Sequence, residues 1–199
     1  MLKTRAPQRG FNLIEVLVTL AVLGVLIALG APSLAEFLQN QQVRAATEAV
    51  VNGMQVARGE AIRRNLAVQL VLEPPTSGWT ICEATVDPCD STTPLNVDPP
   101  KVIQSRSPNE GTSNANVVPV AADLATTAVG VTFSPLGSVV PNFNAKPTLA
   151  RVDVFNTRSA CIADGGPMRC LRVVVTGGGS VRMCDPTPGI VSPDPRACP

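Results

Sequence analysis

The stretch Arg9-Gly10-Phe11-Asn12-Leu13-Ile14-Glu15 opens an apolar run that continues to Ala31. Glu15 is the only charged side chain in residues 11–31. At about 1.5 Å of helical rise per residue, the run covers the roughly 30 Å hydrocarbon core of a bilayer. The leader before it carries basic residues and no acidic ones, a bias that holds the leader in the cytoplasm and sends the rest outward. We therefore predict one membrane-spanning helix over residues 11–31.

An ordinary secretory signal peptide is the alternative interpretation of this N-terminus. Its apolar region would be roughly 7–15 residues long, and a small-residue cleavage site would follow it. The run of residues 11–31 is longer than that, and no Ala-x-Ala-like site follows it. Both features favour a retained membrane anchor.

The junction between the leader and the helix carries a resemblance. A Gly10-Phe11 pair between a basic leader and an apolar helix, with Glu15 five residues into that helix, resembles the class III leader of type IV pilins and type II secretion pseudopilins. The resemblance implies that a prepilin peptidase removes residues 1–10 by cutting between Gly10 and Phe11, and then methylates the new amino group. It also implies an inner-membrane protein with a periplasmic C-terminal domain that later joins other subunits in a fibre.

Glu15 needs a physical explanation of its own. An ionised carboxylate in hydrocarbon costs at least a few kcal/mol unless it has a partner or a proton. The amino terminus at Phe11 of a neighbouring subunit is a candidate partner in a bundle of such helices, which would make Glu15 an assembly residue. The alternative is that Glu15, about one turn inside the run, reaches to the membrane interface.

Composition limits the functions open to the remaining chain. The 199 residues carry a net charge of +1, so there is no global electrostatic case for nucleic acid. The chain has no His and shows no nucleophile with a base, no paired carboxylates and no metal cluster, so we predict neither an enzyme nor a cofactor. Six Cys and 19 Pro indicate an oxidising compartment and a loop-rich outer domain.

The sequence beyond the membrane run predicts an α+β domain. Pro32 should bend the helix, and residues 32–65 continue it with helical periodicity of apolar positions, among them Leu34, Phe37 and Leu38. Residues 66–199 read as β-rich, and residues 87–113 as a long surface loop. The predicted strands are residues 66–72, 79–85, 117–120, 129–133, 151–155, 171–176 and 180–183. We expect them to form an antiparallel sheet packed on the second half of the helix.

Further motifs resemble the GspH/FimT family. They are residues 57–65 at the helix end, Gly78-Trp79, residues 133–137 and residues 179–186, the last similar to FimT-like members. The resemblance implies the type IV pilin fold and a minor pilin that enters the type IV pilus and assists its assembly. A minor pseudopilin of a type II secretion system and a DNA-binding pilus component in DNA uptake are the alternatives. Taken by themselves, residues 133–137 read as a β-turn and residues 177–179 as a hairpin turn.

The cysteines favour local disulfides. The short-range pairs are Cys82 with Cys89, Cys161 with Cys170, and Cys184 with Cys198, each closing a loop that contains Pro or Gly. A metal site is the alternative, but the sequence has neither a C-x-x-C pair nor a His.

The C-terminal motif raises the DNA alternative. Some FimT-like members bind DNA through a Gly-Arg-x-Arg motif, and Gly179-Ser180-Val181-Arg182 keeps the Gly and the second Arg but has Ser in place of the first Arg. Pairing of the last two strands could still bring Arg169, Arg172, Arg182 and Arg196 together as a weak, sequence-indifferent phosphate site. The alternative is a solvated strand face.

Overall fold

The computed structural model describes residues 12–85, 89, 101–107, 110, 112 and 114–199. The predicted leader, residues 1–10, and the predicted cut between Gly10 and Phe11 lie outside the described residues. The chain divides into two compact units, residues 1–37 and residues 38–199.

Helix α1 runs from Leu13 to Arg64, and its helical backbone passes through Pro32 without interruption. The bend expected at Pro32 stays a prediction. Near its N-terminus α1 contains a stretch of mean hydropathy 2.6, none of it buried, that is long and apolar enough to cross a membrane. The second half of α1 has a different environment, because it packs on sheets.

The end of α1 follows from its sequence. Asn65 adopts a left-handed backbone conformation with φ of 54°, which Asn tolerates better than most residues. The next amide, that of Leu66, turns back and donates to the carbonyl oxygen of Ala61 at 3.2 Å. The helix therefore closes at Asn65, where the predicted helical region 32–65 ends, and the closure directs the chain into the first strand.

Nine strands follow α1 in the part of the chain that the structure describes, and they form two antiparallel sheets. They are β1 (Val68–Leu72), β2 (Trp79–Glu83), β3 (Val102–Arg106), β4 (Ala115–Ala121), β5 (Gly130–Phe133), β6 (Val139–Val140), β7 (Leu149–Asn156), β8 (Leu171–Val175) and β9 (Val181–Cys184). The first sheet has the order β3-β2-β1-β5-β6, and the second sheet has the order β4-β7-β8-β9. The expected α+β class, with a long helix on antiparallel strands, is confirmed.

The strand predictions differ from the structure in three respects. The strands divide between two sheets rather than one. Strand β3 lies inside the region 87–113 that we predicted to be loop, where it forms the edge of the first sheet against β2. Its polar residues Gln104 and Ser105 are exposed, so it lacks the apolar pattern that marks a buried strand. Strand β6 has only two residues, too few to leave a periodic signal.

One face of α1 packs into the core that residues of both sheets share. The fully buried apolar residues of that face are Val43, Ala46, Val50, Met54, Ala57 and Ala61. The expectation that the stripe would begin at Leu34 is wrong, because Leu34, Phe37 and Leu38 are each more than half exposed. Periodicity indicates one face of a helix, but it does not indicate where the sheets that cover that face begin.

A close contact between α1 and β2 anchors the first sheet. The indole Nε1 of Trp79 donates to the carbonyl oxygen of Ala49 at 3.0 Å. A Cβ on Gly53 would lie 2.7 Å from the Trp79 ring, so only glycine leaves room for the indole against the helix. The burial of Trp79 therefore depends on the absence of a side chain at Gly53 of the facing helix.

Candidate interaction sites

The first candidate site is the apolar start of α1. Its large apolar side chains are exposed from Leu13 to Leu29. Glu15 lies in the first turn and is exposed. Among the residues that the structure describes, no cation lies within ion-pair distance of Glu15. The pairing of Glu15 with an amine from another subunit stays a prediction, since Phe11 is not among the described residues.

The structure places the four arginines of the predicted phosphate site in two different surroundings. Strand register pairs Arg172 with Asp153 and Arg182 with Val174, and paired residues share one face of an antiparallel sheet. Val152 and Val173, which have the opposite orientation, are fully buried. Arg172 and Arg182 therefore lie on the outer face of the second sheet.

Both arginines on this outer face already have partners. The Nε atom of Arg172 donates to Oδ1 of Asp153 at 2.6 Å, and Arg151 contacts the other oxygen of Asp153 at 3.0 Å. Arg182 donates to the carbonyl oxygen of Ala197 at 2.7 Å. The contact between Arg172 and Asp153 connects β8 to β7, and the hydrogen bond of Arg182 connects β9 to the C-terminal segment. The outer face therefore has a structural role.

Arg169 and Arg196 line a different site, which we call the arginine cleft. It is a cleft of about 390 Å³ between α1, the strands β8 and β9, and the C-terminal segment. Its lining residues are Asn40, Gln41, Arg44, Arg169, Leu171, Met183, Cys184, Asp185, Pro195 and Arg196. Sequence reasoning missed Arg44 as a member of this site, because nothing in the sequence indicates that this part of α1 meets the C-terminal segment.

The charges of the arginine cleft are unevenly neutralised. Arg196 contacts Asp194, whose pKa that guanidinium lowers to about 2. Arg44 contacts Glu48 on the same helix. Within the described part of the chain the side chain of Arg169 has no ion pair; only its backbone N–H is fixed, by a hydrogen bond to Oδ1 of Asn40 at 3.0 Å.

Asp185 is the one carboxylate that lines the cleft. It is buried and accepts hydrogen bonds from the backbone N–H and the hydroxyl of Thr187. Its backbone N–H donates to the carbonyl oxygen of Arg196 at 2.8 Å. The Asp185 carboxylate also contributes, after that of Asp194, to raising the pKa of Arg196. Three arginines and one carboxylate therefore line the cleft.

A third site brings three of the sequence motifs together. Ser134 and Gly137 close a turn by a backbone hydrogen bond of 2.8 Å, and Thr176 and Gly179 close another, also of 2.8 Å. The two turns touch, since a Cβ on Gly179 would lie 1.8 Å from the carbonyl oxygen of Gly137. Arg58 of α1 donates to that same oxygen at 2.9 Å. We call this contact the glycine junction.

The glycine junction connects the two sheets. The amide of Val139 in the first sheet donates to the carbonyl oxygen of Gly177, in the turn between β8 and β9, at 2.9 Å. Both motifs are turns, as their sequences predicted, with φ of 78° at Gly137 and 76° at Gly179. The role of Arg58 was not predicted, although its position inside the motif at residues 57–65 is a signal that could have indicated it.

The structure contains three disulfides, and they join the pairs that spacing favoured. These are Cys82 with Cys89, Cys161 with Cys170, and Cys184 with Cys198. The last one fixes the C-terminal segment to the end of β9. Among the described residues no group of His, Cys, Asp and Glu could hold a metal ion.

The comparison with protein families gives two matches. The family described as type II transport protein GspH matches residues 46–179, which is more than half of the chain. The prokaryotic N-terminal methylation motif matches residues 5–31. No curated protein sequence matches the chain.

Solved structures with a similar fold include three pilin-like proteins. The type IV minor pilin FimU of Pseudomonas aeruginosa is 16% identical, with a TM-score of 0.45 over 74% of this chain and 91% of that one. The minor pseudopilin EpsH of Vibrio cholerae is 13% identical, with a TM-score of 0.46 over 73% and 98%. Escherichia coli GspH is 12% identical, with a TM-score of 0.46 over 75% and 92%. On the strength of the family match, this chain belongs to the family described as type II transport protein GspH, and its N-terminus matches the prokaryotic N-terminal methylation motif.

Proposed function

We propose that this protein is a minor pilin, a subunit that enters the type IV pilus and assists its assembly. The observation that carries the proposal is the combination, in one chain, of an N-terminal methylation motif at residues 5–31 with a GspH-family domain at residues 46–179. The motif supports processing and membrane anchoring, and the domain supplies the part that distinguishes one subunit from another. The role is structural and uses neither a catalytic group nor a cofactor.

The exposed apolar start of α1 explains how one helix serves two locations. Side chains such as Leu17 and Leu26 are more than half exposed, an arrangement that water disfavours but hydrocarbon accepts. In the inner membrane lipid would cover them, and in the fibre the equivalent helices of other subunits would. Transfer between these two apolar surroundings involves little change in the free energy of hydration.

Processing comes first in this scheme. A prepilin peptidase cuts between Gly10 and Phe11 and methylates the new amine, while the C-terminal domain lies in the periplasm. That amine can then neutralise Glu15 of a neighbouring subunit inside the fibre. An ion pair in hydrocarbon stabilises the assembled state because each charge alone is costly there.

A minor pseudopilin of a type II secretion system is the second candidate. The observation that favours it is the description of the matched family as a type II transport protein. The same anchor, processing and Glu15 pairing would apply. What differs is the fibre that receives the subunit.

One experiment separates the two candidates. The gene is deleted in its own host and restored with a tagged copy, and surface pili and secreted enzymes are measured in both strains. We expect piliation to fall on deletion, and the tagged protein to be recovered in sheared pili with N-methylated Phe11 as its first residue by mass spectrometry. Normal pili with lost secretion would favour the pseudopilin, and an intact leader in a strain with an active peptidase would contradict the processing step.

A further inference from the structure

We propose that the arginine cleft binds an acidic segment of another protein chain, in which carboxylate side chains flank an apolar one. The proposal concerns a surface of the domain formed by residues 38–199. It does not depend on which fibre the protein enters.

The lining of the cleft sets the chemistry of the occupant. Its charged lining residues are three arginines, Arg44, Arg169 and Arg196, and one carboxylate, Asp185. Its apolar floor includes Leu171 and Met183. Met183 is 36% exposed although it belongs to a strand, and Leu171 beside it is half-buried. An occupant with both a negative charge and an apolar side chain would satisfy both parts of the lining. Methionine suits such a floor, because its flexible side chain adapts to different apolar groups.

Arg44 and Arg169 are available to a new partner at little cost. Arg169 has no ion pair among the described residues, so a carboxylate from outside would provide its first. Arg44 and Glu48 are both more than half exposed, and an exposed pair of this kind is worth only about 0–1 kcal/mol. Arg196 is also more than half exposed, but it already makes two hydrogen bonds to Asp194 and keeps that partner. Guanidinium groups bind carboxylates through two parallel hydrogen bonds, which gives direction as well as charge.

Protein fits the cleft better than duplex DNA does. A volume of about 390 Å³ holds a few side chains, whereas a duplex presents its phosphates on a broad convex surface. Phosphates would gain nothing from the apolar floor. Non-specific DNA binding also depends on many cationic contacts, while the whole chain carries a net charge of only +1.

The test uses the full-length protein in zwitterionic detergent micelles and fluorescent pentapeptides, with binding followed by anisotropy. The first peptide has the sequence Gly-Glu-Leu-Glu-Gly, the second replaces both Glu by Gln, and the third replaces Leu by Gly. We expect binding of the first peptide, with Kd increased about tenfold or more by removal of the charges and less by removal of Leu. The affinity should fall as salt is raised.

Matched variants locate the binding site. Arg169→Glu should raise the Kd of the acidic peptide by about tenfold or more and should create affinity for the peptide Gly-Lys-Leu-Lys-Gly. Arg158→Glu makes the same charge change on an exposed arginine outside the cleft, and we expect it to alter Kd by less than about twofold. Neither change removes a core contact, and unfolding curves of both variants establish that they are folded.

Three outcomes would overturn the proposal. One is equal affinity for the Glu and Gln peptides, or no binding of either. Another is an equal loss of affinity in Arg158→Glu and Arg169→Glu, which would indicate a general charge effect. The third is tighter binding of a short DNA duplex that depends on Arg169, which would assign the cleft to nucleic acid instead.

Discussion

The two halves of α1 use the same backbone structure in opposite surroundings. In the first half, large side chains such as Leu17 and Leu29 are 58% and 74% exposed, and apolar residues occur on every face. In the second half, Val50, Met54 and Ala57 are fully buried on one face, and polar residues occupy the other. The first pattern suits a helix surrounded by hydrocarbon, and the second suits a helix half-covered by protein.

Glycine shows the same difference between the two halves. A Cβ on Gly24 or Gly30 would meet nothing within 4 Å, whereas a Cβ on Gly53 would overlap the ring of Trp79. The residue type is identical, but only Gly53 is required by a neighbour in the same chain. If glycine is needed at position 24 or 30, the reason must be a contact with another molecule. Glycine at position 53 is needed for the stability of this domain, because it leaves room for Trp79.

The largest expected effect lies in the first half of α1. Glu15→Ala should leave insertion into the membrane intact and reduce incorporation into the fibre by about a hundredfold or more. The reason is that the Phe11 amine of the neighbouring subunit would be left unpaired, and an unpaired charge in hydrocarbon costs roughly 3–5 kcal/mol. The measurement is an immunoblot of membrane and sheared-fibre fractions. Glu36→Ala, an exposed carboxylate farther along the same helix, is the control and should assemble normally. Normal incorporation of Glu15→Ala would show that the charge is dispensable.

The next effect lies in the C-terminal domain, at the glycine junction. Gly179→Ala forces a side chain into a left-handed backbone and against the Gly137 carbonyl oxygen, so we expect a loss of about 2–4 kcal/mol in the free energy of unfolding. Urea unfolding followed by the fluorescence of Trp79, the only tryptophan, measures it. Gly178→Ala is the control, because a Cβ there meets nothing within 4 Å, and it should change stability by less than about 0.5 kcal/mol. Equal stability of the two variants would mean that the turns do not touch.

A smaller effect tests the second half of α1 directly. Gly53→Ala should destabilise the domain by about 1–3 kcal/mol, since the added methyl group overpacks the contact with Trp79. Gly59→Ala lies on the same helix with open space around its Cβ, and we expect it to stabilise the domain by about 0.5–1 kcal/mol through helix propensity. The same unfolding measurement serves both variants. A change of the same sign in both would contradict the distinction between a packed and a free glycine.

The smallest effect concerns DNA. Arg172 and Arg182 lie on the outer face of the second sheet with partners of their own, apart from Arg169 and Arg196 in the arginine cleft. We expect titration of the full-length protein with duplex DNA at low salt to show at most weak binding, abolished by physiological salt. Binding that persists in salt and is lost in Arg172→Ala together with Arg182→Ala would restore the DNA interpretation.

Much of the architecture could be predicted because it depends on local signals. The apolar run, the capped end of α1 at Asn65, and the hairpins β1–β2 and β8–β9 each follow from periodicity and turn residues over a few positions. Strand β3 could not be predicted in this way, since its edge position leaves its side chains largely exposed and polar. The division into two sheets depends on which strands pair, and pairing across long separations leaves little trace in a single sequence.

The candidate sites show the same division at the level of single residues. The sequence by itself determined the apolar start of α1, the N-terminal methylation motif, the position of Glu15 and the short-range disulfide pairs, because each of these depends on spacing along the chain. Only the tertiary structure decided that Arg58 binds the Gly137 turn, that Gly179 must be glycine for that turn to approach, and that Arg44 joins Arg169 and Arg196 in one cleft. The physical reason is that these contacts join residues far apart in sequence, and their positions are set by how α1 and two sheets pack around one core.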